Sequence, residues 1–151
     1  MAARTINQQI IEELYAEALV LADDARAAFG LRLHADTATQ DDALRIALSI
    51  EGLRTTTRVM HVLAWLLNQR AYFSGELSEA QLRRTSALPD ERAADPGNLE
   101  VLEPETRALI HESEQLHARV ARLDRELRGA AGHGDAPVRA MQDRLARAFG
   151  E

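Results

Sequence analysis

The chain has 151 residues, enough for one domain with a real core. All 18 basic residues are Arg, but the net charge of −6 repels phosphate overall and so argues against a nucleic-acid partner. The absence of Cys excludes disulfides, thiolate metal sites and thiol nucleophiles, and no apolar run reaches the roughly 18 residues of a membrane span. Apolar content is ordinary at 46 %, much of it Ala, and aromatics are scarce at 4 %, a composition suited to close-packed helices. The N-terminus lacks the apolar stretch of a signal peptide, so the expected location is cytoplasmic.

Taken in chain order, a first helix is expected from a Thr5 cap to about Phe29, with Gly30 as its stop. Its seam is Ile11, Leu14, Ala18, Leu21, Ala25 and Ala28, in steps of three and four. Glu12, Glu13, Glu17, Asp23 and Asp24 make its outer face acidic. A Thr39/Asp42 capping box then opens a long central helix over residues 40 to 73.

This central helix has two apolar faces. Ile46, Ile50, Leu53, Thr57, Met60, Ala64, Leu67 and Ala71 form one seam. Leu44, Leu48, Val59, Val62, Leu66 and Phe73 form a second, roughly 150° away at about 100° per residue. Such a helix must be covered on both sides, by its own chain or by another copy. The flanking helices carry one main seam each and together can occupy one side. That leaves Leu48, Val59, Val62 and Leu66 as the expected interface of a homodimer. Between the faces runs a third stripe, Arg54, Arg58, His61, Trp65, Asn68 and Tyr72. Arg and Trp together are enriched at binding surfaces, so Arg54, Arg58, His61, Trp65 and Tyr72 are the candidate partner-binding set. The competing reading is that their stems cover the core while their polar ends meet water. Gly52 inside the helix marks either a bend or a close helix crossing.

Ser74 and Gly75 end the central helix, and a Ser78/Gln81 capping box opens a short one to about Thr85. Residues 86–104 hold three of the four Pro residues and read as a linker or surface loop. Pro104 starts the last main helix, with Leu109, Ser113, Leu116, Val120, Leu123 and Leu127 as its seam and Gly129 as its end. Residues 1–129 would thus be the bundle domain and 130–151 a flexible tail. Within the tail, Val138, Met141, Leu145 and Phe149 share one face of a weak amphipathic helix and form a candidate docking element. The expected fold is all-α: a helical bundle of three main helices with a long central helix, expected as a dimer.

Catalytic patterns are missing. His111 and His117 are six residues apart and face different ways; His61 has no helical neighbour that completes a ligand set. His34 and His133 fall in expected loops. No phosphate loop, nucleophile elbow or paired-His zinc motif occurs, so the chain is read as a non-enzyme without cofactor or metal.

The central run EGLRTTTRVMHVLAWLLNQRA with the following GEL resembles the signature of the DUF1465 proteins. LYAEALVLADDAR and LIHESEQLHARVARLD on either side fit as well, so the resemblance covers residues from about 10 to 128. The characterised member of that family is the alphaproteobacterial regulator of CtrA degradation. The resemblance therefore implies a dimeric, helical adaptor of the ClpXP protease, with the cell pole as a site of action. Implied partners are ClpX, a receiver-type response regulator that primes the protease, a cyclic-di-GMP effector protein, and protein cargo including cell-cycle transcription regulators. From the residues alone, a structural dimeric scaffold for an unrelated protein partner remains the alternative. A DNA-binding regulator would need more basic residues than Arg83 and Arg84 supply.

Overall fold

A computed structural model of the chain describes residues 2–33, 41–85 and 87–149; side chains are described except at 2–4, 31–33, 130–140 and 143. The described chain is all-α, with element order α1 (Ala2–Leu33), α2 (Asp42–Phe73), α3 (Glu79–Arg84), α4 (Pro96–Val101) and α5 (Pro104–Phe149). Three helices are long, and α2 packs against both α1 and α5. The all-α bundle expected from helical periodicity is what the chain forms.

Local chemistry explains most of the boundaries. Asp41 caps α2 by accepting a hydrogen bond from the Ala43 backbone N–H at 3.4 Å, so the cap sits at Asp41; Thr39 lies outside the described residues. Ser74 closes the helix, and Gly75, at φ 85°, takes the left-handed turn that L side chains avoid. The Ser78/Gln81 capping box forms as expected, with bonds of 3.1 and 2.8 Å. The 86–104 segment contains an unexpected helix, α4, whose N-terminal amides at Gly97 and Asn98 are accepted by Asp95 with Pro96 behind it.

Three helix ends differ from the sequence expectation. The first helix begins at Ala2, ahead of Thr5, and continues through Gly30 to Leu33. The last passes Gly129 and continues to Phe149 as one helix, which places His133 in helix and replaces the expected flexible start of the tail. Single glycines weaken a helix without forbidding it, so each is a poor stop unless a left-handed turn follows. His34 lies outside the described residues.

Helix directions follow from paired contacts. Arg70 Nε of α2 donates to Glu12 of α1 at 2.8 Å, and its guanidinium lies over the Tyr15 ring, 4.1 Å from the centroid. The Glu12 hydrogen bond raises the Arg70 pKa above its ordinary value, against the lowering effect of burial. At the other end, Phe29 of α1 meets Gly52 of α2, so α1 and α2 are antiparallel. Arg58 meets Ser113 and Trp65 meets Asp124, so α2 and α5 run parallel.

The core divides into two clusters. Ile11, Leu14, Ala18 and Leu21 of α1 meet Val59, Val62, Trp65 and Leu66 of α2 and Leu116 and Val120 of α5. Ala25 and Phe29 join Ala47, Leu48, Leu102 and Ile110 nearer the other end. Leu48, Val59, Val62 and Leu66 are thus buried inside one chain, which corrects their expected role at a dimer interface. Both α1 and α5 pack on this face of α2 and on each other, so the face that seam counting left open is the one the chain itself covers.

Gly52 marks a close crossing. A Cβ there would lie 3.0 Å from Phe29 Cδ1 and 3.2 Å from Cγ, so the ring packs directly on the α2 backbone. Gly52→Val is expected to lower stability by about 1–3 kcal/mol through overpacking, measured by urea denaturation. Gly52→Ala is expected to change it far less, because better helix propensity offsets a small shift of the ring.

Candidate functional site

Parallel α2 and α5 impose a topological demand: the chain must travel back along the bundle between them. Residues 87–95 make that return as an irregular strap running against both helices. Its exposed backbone groups meet water, and those turned toward the bundle take protein partners. Side chains of α2 and α5 supply these.

Contacts run in order along the strap. Asp124 Oδ2 accepts from the Leu88 N–H at 3.3 Å, and His117 Nε2 donates to the Pro89 carbonyl at 2.9 Å. His61 Nδ1 pairs with the Glu91 carboxylate. Arg58 donates to the Arg92 carbonyl at 3.0 Å and to Ser113 Oγ at 2.8 Å, while Ser113 donates onward to the Ile110 carbonyl. Glu51 Oε1 accepts from the Asp95 N–H at 3.2 Å, from Asn98 Nδ2 at 2.9 Å and from Arg54 Nη1 at 2.9 Å. Trp65 Nε1 donates to Asp124 Oδ1 at 2.9 Å, and Arg128 completes that carboxylate at 2.8 Å.

The candidate partner-binding stripe is therefore occupied internally. Arg58 is 1 % exposed and Trp65 4 %, so neither presents a surface to another molecule. Arg54 is tied to a fully buried Glu51, and His61 to the strap. Tyr72 is half-buried and lines a cavity of about 350 Å³ with Phe73 and Leu82. The correction has a physical cause. Arg and Trp carry long apolar bodies with polar ends, and those ends satisfy strap carbonyls and carboxylates as readily as they would a partner's. Glu51, Asp124 and His117 complete the arrangement, and helix periodicity did not tie them to the strap because their partners there lie 44, 36 and 28 residues away.

Two hydroxyls near the ladder stay unmatched. Thr55 Oγ1 and Thr106 Oγ1 are buried without a hydrogen-bond partner, as is Glu51 Oε2. Extending the α2/α5 register by seven residues from Arg58 and Ser113 brings Glu51 and Thr106 to one level, so the polar atoms concentrate at one end of the ladder.

With the stripe turned inward, the outward face of α2 is the heptad-spaced seam. Ile46, Ile50, Leu53, Met60 and Leu67 are all exposed, Leu53 at 70 %. These five lie on one side of a helix over roughly 30 Å, at about 1.5 Å per residue. Met141, Leu145 and Phe149 of the tail are exposed too, and the Val138 side chain lies outside the described ones. Among the described residues, no group of three His, Asp or Glu is placed to hold a metal ion, and no helix is long and apolar enough to cross a membrane.

Fold and surface together define an all-α bundle whose polar ladder is internal and whose apolar helix face is external. The chain belongs to the DUF1465 family, proteins of unknown function, whose model matches residues 2–149. No curated relative and no solved structure matches it.

Arg58→Ala is expected to lower stability by about 2–4 kcal/mol, because it strands the Arg92 carbonyl and empties a buried volume. Urea denaturation measures the loss, and amide exchange across residues 88–95 should rise with it. Arg54→Ala, at a partly exposed pair, is expected to cost clearly less.

Proposed function

We propose that this protein is a non-enzymatic adaptor in regulated proteolysis, a homodimer that brings protein substrates to the ClpXP protease. Family membership, and the resemblance of the α2 run to the regulator of CtrA degradation, support the adaptor reading. The observation that carries the interaction role is the exposed heptad seam of α2, an apolar face that its own chain leaves in water. A two-fold axis near Thr57 sets Leu53 of one copy against Met60 of the other and closes the assembly as a dimer. The dimer then leaves the remaining faces for ClpX, a receiver-type response regulator, a cyclic-di-GMP effector protein and cargo.

An adaptor of this kind works without covalent chemistry. Holding cargo and unfoldase on one scaffold raises the effective concentration of cargo at the protease, an advantage of up to about 10²–10⁴-fold for linked sites. Met141, Leu145 and Phe149 offer a helix face that fits a groove on cargo or protease. The proposed setting is the cytoplasm, at the cell pole.

Two measurements test the reading. Wild-type protein at tens of micromolar should scatter light as a dimer, and Leu53→Glu with Met60→Glu should give a folded monomer. A wild-type monomer would remove the proposed interface. In a reconstituted reaction with ClpXP and the primed response regulator, adding the protein should accelerate degradation of a cell-cycle transcription regulator. Unchanged degradation together with no binding to any of these components would leave the scaffold reading, in which the same dimer serves an unrelated partner.

A further inference from the structure

We infer that the tail helix, residues 137–149, folds back and seats in the long groove between α1 and α5, closing the three-helix body as a fourth helix.

The groove is one continuous feature. Hollows of about 550, 1100 and 360 Å³ follow one another along the α1/α5 junction. The first two share Asp24 and Glu112, and the last two share Glu17, Arg119 and Arg122. On α1 the groove runs from Ala28 to Ile10, roughly 27 Å at about 1.5 Å per residue. That length exceeds the roughly 20 Å of a 13-residue helix. Its floor is small and apolar, with Ala16, Ala118 and Ala121 beside an exposed Val20.

Charge selects the occupant. Glu13, Asp24, Glu112 and Glu126 line the groove without an ion-pair partner among the described residues and outnumber the likewise unpaired Arg122 and Arg125, while Glu17 is paired with Arg119 across it. Residues 137–149 carry Arg139, Arg144 and Arg147 against the single acidic Asp143, in a chain whose net charge is −6. The same segment holds Met141, Leu145 and Phe149 in steps of four, all exposed, Phe149 at 84 %. A basic amphipathic helix thus faces a groove of mixed charge with an excess of carboxylates and an apolar floor, within one polypeptide.

The sequence also supplies the joint. Gly129, Gly132 and Gly134 are followed by Pro137, the two residue types least favourable inside a helix. This is the stretch where α5 breaks most cheaply into a helical hairpin, and Pro137 suits the first turn of the helix that follows. A turn centred near Gly132 returns the tail antiparallel to α5. The Glu17–Arg119 pair sets the α1/α5 register, and the returning helix then brings Phe149 to the level of Val20 and Leu145 to that of Ala16. Arg147 arrives within a turn or two of Glu112 and Asp24. Extended and seated tails are two states of one chain, and only the extended one presents Met141, Leu145 and Phe149 to another protein.

The absence of Cys makes the test direct. Spin labels on Asp23→Cys and Ala148→Cys, two exposed positions, lie roughly 50 Å apart along the extended helix at about 1.5 Å per residue. Seated in the groove, they come within roughly 20 Å by the same rise. Pulsed electron paramagnetic resonance on the full-length protein should show a short-distance population that persists when labelled chains are diluted tenfold with unlabelled ones. Leu145→Glu with Phe149→Glu should abolish that population while helicity by circular dichroism stays intact. A long distance alone would overturn the inference. So would a short distance that vanishes on dilution, which would place the tail in a second copy's groove.

Discussion

A guanidinium buried to 1 % exposure holds this structure together. Arg58 touches α5 through Ser113 and the returning strap through the Arg92 carbonyl, so one side chain ties three separate parts of the chain. Leaving such a group in a core without partners would be costly, and here its fork is aimed at neutral oxygens that are themselves fixed. The parallel arrangement of α2 and α5 depends on this. Parallel helices need a return path, the return path is irregular, and the backbone groups it turns toward the helices need partners. Arg58, Glu51, His117 and Asp124 supply them along one line, and His61 adds a side-chain pair with Glu91.

That ladder decides what the protein shows to the outside. A helix has a limited circumference, and α2 spends much of it on α1, α5 and the strap. The face left over carries Ile46, Ile50, Leu53, Met60 and Leu67, which are apolar yet exposed. A polar stripe turned inward and an apolar seam turned outward reverse the usual order of a surface helix. The reversal fits the proposed role in association: the polar contacts specify one internal register, and an apolar face is left exposed.

A second open surface is the groove of helical length along the α1/α5 junction. The two surfaces differ in character. The α2 seam is apolar along its length and self-complementary, which suits an isologous contact. The α1/α5 groove is rimmed with charge of both signs and floored by alanines, which suits a single helix of defined polarity. The two proposed associations, dimer and seated tail, therefore draw on different side chains.

Much of this was legible in the sequence. Apolar residues at steps of three and four located α1, α2 and α5, the Ser78/Gln81 box located α3, and Gly52 signalled the crossing that Phe29 makes. Periodicity also grouped Arg54, Arg58, His61 and Trp65 on one stripe and Leu48, Val59, Val62 and Leu66 on one face. These are local properties, because helix geometry alone determines which residues share a side. Which side turns inward is not local. The burial of Arg58 requires the Arg92 carbonyl, and that of Trp65 requires Asp124, and both partners lie far along the chain. Only the tertiary structure brought the strap and α5 onto α2. It thereby made a core of the supposed dimer face, a structural ladder of the supposed binding stripe, and an open surface of the seam that looked most like a core. The physical reason is that the free energy of burying a polar side chain depends on its partners, and its own position in a helix does not reveal them.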